Sequence, residues 1–367
     1  MSDREAVTNP KFEIRHSKSE CPMTIIDHKH LLNRLIAGED LAAAEMEAFF
    51  DAVMGGQVEA PVAAAVLVAL RAKGETGTEV AAAARVMRAR SLKVPIHDPG
   101  RAIDTCGTGG DGAETINVST AAAVVAAAAG VSVAKHGNRS VSSRCGSADV
   151  LETLGVRIDL PPEASAEVHR KTGITFLFAP RLHPAMKEVM PVRRSLGVRT
   201  VFNLLGPLTN PAGVERQVIG VWGAEVQDLM AGALAELGAR CALVVHSEDG
   251  LDELSVCAPT RVVEVRDGVV IGELRVDPDD LGITGSDPAS LRGGDAAENA
   301  RRMQTILSGE ETSTASEAVA LNAAAALYVA GEVADLAQGL DLARAVMASG
   351  SPRTLLERLA RVSDEVA

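Results

Sequence analysis

The chain has 367 residues, of which 47% are hydrophobic and 23% charged, and its formal net charge is −13. This composition is that of a folded protein with one large domain or two smaller ones, and it excludes overall disorder. The negative charge and the aromatic content of 2% argue against a phosphate-backbone surface and against a base-stacking platform for nucleic acid.

The cysteines and the N-terminal segment favour a reducing, cytoplasmic location. The chain has five widely spaced cysteines and no CxxC pair, which argues against a zinc site or a disulfide framework. Residues 1–22 form a polar tail without the apolar stretch of a signal peptide. The apolar runs around 61–70 and 121–131 are too short to span a bilayer, so we expect no membrane association.

The pattern over residues 23–95 predicts a small helical domain. Apolar residues recur at helical spacing from Leu31 onward, and Asp40 is expected to cap the helix that follows it. Pro61 suits the first turn of a further helix, which Gly74 ends.

From residue 96 onward, strands alternate with helices, which is typical of a mainly parallel sheet with flanking helices. We expect strands near residues 102–106, 131–134, 174–179, 217–222 and 242–246, and helices near 119–129, 162–172 and 225–237. Asp267-Gly268 predicts a β-hairpin turn, and three helices are expected near 295–307, 313–330 and 335–360. The helical segment 184–205 is expected to complete the N-terminal domain, so the larger α/β domain comprises residues 96–183 and 206–367.

A glycine-rich segment, Gly107–Gly112, follows the first predicted strand of this domain and matches the dinucleotide-binding pattern G-x-G-x-x-G. That function requires a helix that opens at the third glycine and an acidic residue about 20 positions later. Here Glu114–Val118 intervene before the helix, and the next strand ends in Lys135-His136, so dinucleotide binding is excluded. A phosphate-binding loop and a purely structural turn both remain open.

Three further segments carry groups that bind phosphate or carboxylate. Ser119-Thr120 stands at the start of an Ala-rich helix, where hydroxyls and free N–H groups can bind an anion or simply cap the helix. Residues 135–144 carry three cations and no acid, against which a solvated basic loop is the alternative. A second cationic segment, 181–199, includes the adjacent Arg193 and Arg194, of which only one can face a given pocket.

The segment His246–Glu253 follows another predicted strand, at the end where α/β sheets bind ligands. Its four carboxylates within six residues suit Mg²⁺, which takes one or two carboxylates together with water and phosphate oxygens. An acidic surface turn is the alternative. Taken together, these segments indicate a site for a magnesium-bound, phosphate-rich substrate.

The same segments, in the same order, closely resemble the anthranilate phosphoribosyltransferase family of tryptophan biosynthesis. The resemblance covers residues 23 to 361 and rests on Gly107–Asp111 (GTGGD), Asn117–Thr120 (NVST), Lys135–Ser143 (KHGNRSVSS), Gly146–Asp149 (GSAD), Val192–Thr200 (VRRSLGVRT), Asn203–Pro211 (NLLGPLTNP) and Gly250–Glu253 (GLDE). It implies the fold shared with pyrimidine nucleoside phosphorylases, with the active site between the two domains, and a homodimer joined through the helical domains. The implied reaction is displacement of pyrophosphate from C1 of phosphoribosyl pyrophosphate (PRPP) by the amine of anthranilate, which yields N-(5-phosphoribosyl)anthranilate.

The resemblance also implies the site residues. Those implied for PRPP are Gly107, Gly110, Asp111, Thr115, Asn117, Val118, Ser119, Thr120, Lys135, His136, Gly137, Asn138, Arg139, Ser140, Val141, Ser142, Ser143 and Ser147. Those implied for anthranilate are Gly107, Asn138 and Arg193, with Arg193 on the carboxylate and Arg194 left at the surface. The implied ligands of Mg²⁺ are Ser119, Asp252 and Glu253. No general base is required because the aryl amine is already a nucleophile, so His136 and His183 are expected only to line the pocket.

Two other functions compete with this hypothesis. A pyrimidine nucleoside phosphorylase of the same fold would bind inorganic phosphate and would need no metal at Asp252 and Glu253. A non-catalytic, nucleic-acid-binding relative should have a degraded glycine loop and a basic surface, whereas this chain keeps GTGGD and carries a charge of −13. The transferase is therefore preferred, with small-molecule substrates and no nucleic-acid or membrane partner.

Overall fold

The fold is that of a computed structural model, which describes residues 27–140 and 144–367. The predicted tail, 1–22, and the predicted PRPP residues Val141, Ser142 and Ser143 lie outside the described residues. The predicted fold class is confirmed, because a small group of N-terminal helices is followed by a larger α/β part with a mostly parallel sheet and flanking helices.

The N-terminal part consists of helices α1 (His28–Ile36), α2 (Ala43–Met54), α3 (Ala60–Lys73) and α4 (Gly77–Ala89). The prediction that Asp40 caps α2 is wrong. Glu45 in the first turn accepts the Ala42 N–H at 2.8 Å, so the helix supplies its own carboxylate for that N–H group. Asp40 lies outside the helix and accepts a hydrogen bond from Lys73 Nζ at 2.6 Å.

The larger part contains a seven-stranded sheet in the order β3-β2-β1-β4-β5-β6-β7. The strands are β1 (Ile103–Asp104), β2 (Val133–Gly137), β3 (Ile174–Phe178), β4 (Arg216–Gly220), β5 (Cys241–Ser247), β6 (Thr260–Arg266) and β7 (Val269–Val276). Strands β1 to β5 pair in parallel, whereas β5–β6 and β6–β7 pair antiparallel, the latter through the predicted Asp267-Gly268 turn. The chain order reverses between β1 and β4, and this reversal is where sheets of this kind bind their ligands.

The flanking helices are α5 (Val118–Ala128), α6 (Ser147–Thr153), α7 (Pro162–Thr172), α8 (Ala179–Leu182), α9 (Met186–Leu196), α10 (Leu205–Leu208), α11 (Ala224–Glu236), α12 (Ala296–Ser308), α13 (Thr314–Ala330), α14 (Leu336–Ala348) and α15 (Ser351–Glu365). The prediction of one helix over 335–360 is wrong. Gly350 adopts a left-handed φ of 71° between α14 and α15, and Pro352 stands in the first turn of α15, so the chain stops one helix and starts another.

Apolar clusters cover both faces of the sheet. Because successive side chains of a strand point to opposite faces, Leu243 of β5 belongs to a cluster with α5 and α13, whereas Val244 belongs to a cluster with α4 and α11. The second cluster also contains Val192 of α9 and Phe202, whose ring centroid lies 5.0 Å from that of Phe50 in α2. The helical segment that interrupts the strand–helix alternation therefore packs with the N-terminal helices.

No helix in the described part of the chain is both long enough and apolar enough to cross a lipid bilayer.

Candidate active site

The glycine loop, Gly107–Gly112, leaves β1 beside the end of β4, at the reversal point of the sheet. Thr108 donates its N–H to the Gly220 carbonyl at 2.8 Å, which fixes the start of the loop to β4. A Cβ on Gly107 would lie 2.9 Å from that carbonyl oxygen, so the close approach of the loop to β4 requires glycine there. Gly110 has a φ of 84°, which a side chain would disfavour.

Sequence reasoning missed one contact of this loop. Arg199 donates from Nη2 to the Gly110 carbonyl at 2.6 Å, and its guanidinium lies 4.6 Å from the ring centroid of Trp222. In the sequence, Arg199 is one of several cations in the segment 181–199, and the pattern does not distinguish it from the others.

Asp111 of the loop and the carboxylates of Asp252 and Glu253 lie close together. The Asp252 N–H points to Asp111 Oδ2 at 3.4 Å, and Glu253 Oε1 accepts the N–H of Ser119, in the first turn of α5, at 3.2 Å. Burial raises the pKa of Glu253 to about 7. Burial, followed by the neighbouring charges of Glu253 and Asp111, raises the pKa of Asp252 well above its usual value. Oxygen ligands from two carboxylates and the Ser119 hydroxyl form a donor set that suits Mg²⁺.

The other two acids of the segment His246–Glu253 are used for structure. Glu248 pairs with Arg275 at 3.2 Å. Asp249 accepts hydrogen bonds from the hydroxyls of Ser247 and Ser255, the latter at 2.6 Å. The count of four carboxylates therefore overstates the metal-binding capacity of this segment, and Asp252 and Glu253 are the pair that faces the loop.

Residues around the start of α5 are held by the surrounding structure. The Asn117 side chain donates to the Cys145 carbonyl at 3.1 Å and accepts from Asn299 Nδ2 at 3.0 Å. Thr115 forms an isolated bridge with Arg292. The side chains of Val118 and Thr120 are buried, so these two residues can meet a ligand mainly through their backbone. Asn299, which orients Asn117, has no counterpart in the sequence predictions.

The positive charge of segment 135–144 is partly neutralised by acidic residues that the fold brings next to it. Strand β2 extends to Gly137 and not to 134 as expected, so Lys135 is buried, and its Nζ donates to the Thr105 carbonyl and hydroxyl at 3.1 and 3.0 Å. Arg139 pairs with Asp149 and Glu152 of α6 at 3.0 and 2.8 Å. Residues 135–144 contain no acid of their own, but α6 brings two carboxylates to Arg139 and neutralises part of their charge.

Asn138 and Ser140 of this loop contact the start of α6. Asn138 is exposed, and its carbonyl accepts the Ala148 N–H at 3.2 Å and the Ser147 hydroxyl at 3.3 Å. Ser140 donates its N–H to Asp149 Oδ2 at 3.0 Å. The loop is thus tied to the start of α6 through its backbone.

Two histidines are buried near the loop. His136 donates its backbone N–H to Asp104 Oδ1 at 3.1 Å, and its ring contacts the Gly206 carbonyl at 3.0 Å and His183 at 3.3 Å. Burial lowers the pKa of His136 to about 4 and that of His183 to about 3. Both rings are neutral near pH 7 and do not add to the positive charge of the site.

The two adjacent arginines of α9 differ in their exposure to solvent, as predicted from the sequence. Arg193 is half-buried and its guanidinium lies 5.8 Å from the ring centroid of Phe202, whereas Arg194 is exposed. Burial lowers the pKa of Arg193. A half-buried guanidinium held on an aromatic ring is suited to a carboxylate ligand.

Comparison with known proteins gives the same family along nearly the whole chain. Residues 99–353 match the model of the glycosyl transferase family a/b domain, and residues 29–91 match its helical bundle domain. The anthranilate phosphoribosyltransferase of Desulfatibacillum aliphaticivorans is 48% identical over 335 residues, which cover 91% of this chain and 98% of the relative. That of Chloroflexus aggregans is 50% identical over 330 residues, which cover 90% and 96%. The chain belongs to the anthranilate phosphoribosyltransferase family.

Solved structures of anthranilate phosphoribosyltransferases have the same fold. The enzyme from Thermus thermophilus superposes with a TM-score of 0.85 at 46% identity, covering 91% of this chain and 99% of that one. The enzyme from Saccharomyces cerevisiae, in complex with PRPP and Mg, gives a TM-score of 0.85 at 25% identity, with coverage of 94% and 99%. The predicted family and enzyme class are confirmed, and the chain is a glycosyltransferase whose activity is anthranilate phosphoribosyl transfer.

Proposed function

We propose that phosphoribosyl transfer takes place at the sheet edge where β1, β4 and β5 end, with PRPP held between the glycine loop, the start of α5 and the pair Asp252–Glu253. The observation that carries this proposal is the 3.2 Å hydrogen bond from the Ser119 N–H to Glu253. It joins a helix N-terminus, which attracts phosphate, to carboxylates, which attract a divalent cation. A magnesium-bound pyrophosphate group uses both.

Asp252 and Glu253, together with the Ser119 hydroxyl, would hold Mg²⁺. The raised pKa values of both carboxyls support this, because buried acids crowded together are stabilised by a cation among them. Mg²⁺ bound there would neutralise part of the charge that develops on the leaving pyrophosphate. The Saccharomyces cerevisiae relative in complex with PRPP and Mg supports the same cofactor for this chain.

The predicted PRPP residues would act in several ways. Gly107, Gly110 and Asp111 would bring backbone groups close to the substrate, and the first turn of α5 would supply N–H groups and the Ser119 hydroxyl. Lys135, with its Nζ bonded to Thr105, would act through its charge, and His136 and Gly137 would support the loop from within the sheet. The other residues implied to contact PRPP are the exposed Asn138 and Arg139 and the half-buried Thr115, Asn117, Ser140 and Ser147.

Anthranilate would bind beside Gly107 and Asn138, with its carboxylate on Arg193. The guanidinium fork would hold the carboxylate in one orientation and so align the ortho amine with C1 of PRPP. His136 and His183 would line the pocket as neutral rings. The amine needs no general base, so the site would accelerate the reaction mainly by positioning and by electrostatic stabilisation of the leaving group.

The assembly, the domain division and the cellular location belong to the same proposal. The helical domain would comprise 23–95 with 184–205, and two copies would join through it in the cytoplasm. Ile36 of α1 and Val68 of α3 are exposed to 72% and 42%, which supports an apolar contact on this part of the chain. Sedimentation equilibrium tests this arrangement: a dimer that dissociates on Ile36→Glu supports it, and a monomeric wild type contradicts it.

The decisive experiment follows the fluorescence of anthranilate in the presence of PRPP and Mg²⁺. The wild type is expected to consume anthranilate only when both are present and to release pyrophosphate in equal amounts. Uridine with inorganic phosphate serves as the control, because a nucleoside phosphorylase would cleave it. Absence of anthranilate consumption over a wide range of concentrations would reject the proposed function.

A further inference from the structure

The contact between Arg199 and Gly110 links two distant segments of the chain. Arg199 lies just after α9, in the segment that packs with the N-terminal helices, whereas Gly110 belongs to the loop that follows β1 of the sheet. The guanidinium donates to the Gly110 carbonyl at 2.6 Å, and its Cζ lies 4.6 Å from the ring centroid of Trp222, just after β4. One side chain thus touches the segments that follow both strands at the reversal point of the sheet.

The hydrogen bond fixes the orientation of one peptide group. No cis peptide bond occurs in the described residues, so the Gly110 carbonyl and the Asp111 N–H point in opposite directions from the same trans peptide. When Arg199 holds the carbonyl, the N–H of Asp111 must face the other way. Asp111 in turn contacts the Asp252 N–H through Oδ2 at 3.4 Å, so the orientation of this peptide bears on the carboxylate cluster.

This peptide group needs an external restraint. Gly109 and Gly110 have φ values of 64° and 84°, and glycine visits many other backbone conformations at little cost. A loop that samples several orientations must be ordered when the ligand binds, and this ordering weakens affinity. A charged donor that lies over an aromatic ring is a restraint that acts before the ligand arrives.

We propose that Arg199 is a positioning residue for PRPP binding, which holds the Gly110–Asp111 peptide in its binding orientation while Trp222 supports the guanidinium. This inference rests on the proposed function, because it requires that the glycine loop binds PRPP. Because Arg199 contacts a backbone carbonyl of the loop, it sets the affinity for PRPP and leaves the chemical step largely unchanged.

The experiment compares Arg199→Gln with Arg194→Gln, which removes an exposed arginine of α9 near the same segment. Loss of one charge-assisted hydrogen bond at a solvent-accessible position should raise the KM for PRPP about 10-fold in Arg199→Gln, with kcat within about 3-fold of the wild type. The KM for anthranilate at saturating PRPP should change by less than about 2-fold, as should every constant of Arg194→Gln.

Variants at Trp222 test the same contact without touching Arg199. Trp222→Phe keeps an aromatic face under the guanidinium and should stay close to the wild type, whereas Trp222→Leu should raise the KM for PRPP by about 3-fold, as expected for loss of an exposed cation–π contact. If Arg199→Gln fails to fold, the comparison of Trp222→Phe with Trp222→Leu tests the proposal by itself. Equal KM values for PRPP in these two variants would contradict it.

Trp222 also gives a direct optical readout, because it is the sole tryptophan of the chain. Titration of the wild type with PRPP and Mg²⁺, without anthranilate, should change the Trp222 emission, and the change should be smaller in Arg199→Gln at saturating PRPP. A KM for PRPP equal to that of the wild type in Arg199→Gln, or equal increases in the KM for both substrates with a lowered Tm, overturns the proposal while the proposed function stands. A wild type that neither binds PRPP nor transfers its phosphoribosyl group overturns both.

Discussion

His136 and His183 meet through their Nε2 atoms at 3.3 Å in the interior of the protein. The His136 Nδ1 lies 3.0 Å from the Gly206 carbonyl and must therefore carry the proton that it donates, so its Nε2 accepts from His183. The Nδ1 of His183 is then an unprotonated acceptor, and it is buried without a hydrogen-bond partner among the described residues. Protonation of this pair would place two positive charges side by side away from water.

This pair should make the protein less stable as the pH falls. The folded pKa of His183 is lowered to about 3, chiefly by burial, whereas the unfolded chain titrates near 6.5. Between these values the unfolded state binds more protons, so the free energy of unfolding decreases from pH 6.5 downward. Replacement by Asn removes this term, so the stability deficit of His183→Asn should shrink between pH 7 and pH 4.5. Urea unfolding of the wild type and of His183→Asn at several pH values measures the difference in their free energies of unfolding. A difference that does not change with pH would contradict the lowered pKa of His183.

The double variant Asp252→Asn/Glu253→Gln should lose magnesium-dependent turnover and still fold. Removing two negative charges weakens binding of a divalent cation far more than it disturbs packing, and it also relieves their repulsion in the metal-free protein. Activity as a function of Mg²⁺ concentration and thermal unfolding measure the two effects. Glu248→Gln, in the same acidic segment but paired with Arg275, is the control that should keep the magnesium dependence of the wild type. Undiminished activity of the double variant at low Mg²⁺ would show that the segment is only an acidic turn.

Gly110→Val should raise the KM for PRPP and lower kcat. Valine strongly disfavours a φ of 84°, and its Cβ would lie 3.5 Å from Arg199 Nη2, so the branched side chain would also disturb the contact that holds the loop. Gly130→Val is the matched control, since Gly130 has a φ of 101° in open space after α5. The control should lose stability by a similar mechanism yet keep the KM for PRPP, as measured in steady-state assays. If Gly110→Val folds with wild-type kinetics for PRPP, the loop is a structural turn and does not bind phosphate.

Arg193→Ala should lower kcat/KM for anthranilate by about 10- to 150-fold, which corresponds to the ~1.5–3 kcal/mol of a hydrogen bond to a charged group. The KM for PRPP should move much less. Arg194→Ala should remain within a few-fold of the wild type, because Arg194 is exposed on the neighbouring position of α9. Equal losses in the two variants, or a larger loss at Arg194, would mean that the anthranilate site is misassigned.

The local parts of the site were predictable from the sequence, whereas the pairings across the chain were not. The glycine loop, the start of α5 and the pair Asp252–Glu253 are short contiguous patterns with a recognisable chemistry. Their place at the strand ends of a mainly parallel sheet also follows from the alternation of strands and helices, whereas the strand order that makes this edge the reversal point is known only from the structure.

Contacts between distant segments depend on which residues the fold brings together. Arg139 looked free in sequence because its partners Asp149 and Glu152 belong to the following helix. Asn299 bonds to Asn117 although the two are 182 residues apart in the sequence. Arg199 bonds to Gly110 although it follows α9 and Gly110 follows β1. No local sequence pattern predicts such a pairing. Likewise, nothing in the sequence around Lys135 distinguishes this buried lysine from an exposed one.

The contact between Phe50 and Phe202 has a consequence for synthesis of the protein on the ribosome. The first four helices emerge early, but their apolar cluster also requires Val189, Val192 and Phe202, which are translated only after the first three strands of the sheet. Until then, the nascent helices expose apolar surface that a chaperone or a neighbouring nascent chain can bind. The N-terminal helices should therefore complete their folding only after about half of the chain has been synthesised. A truncated product that ends before α9 should aggregate and should not accumulate as a stable helical domain.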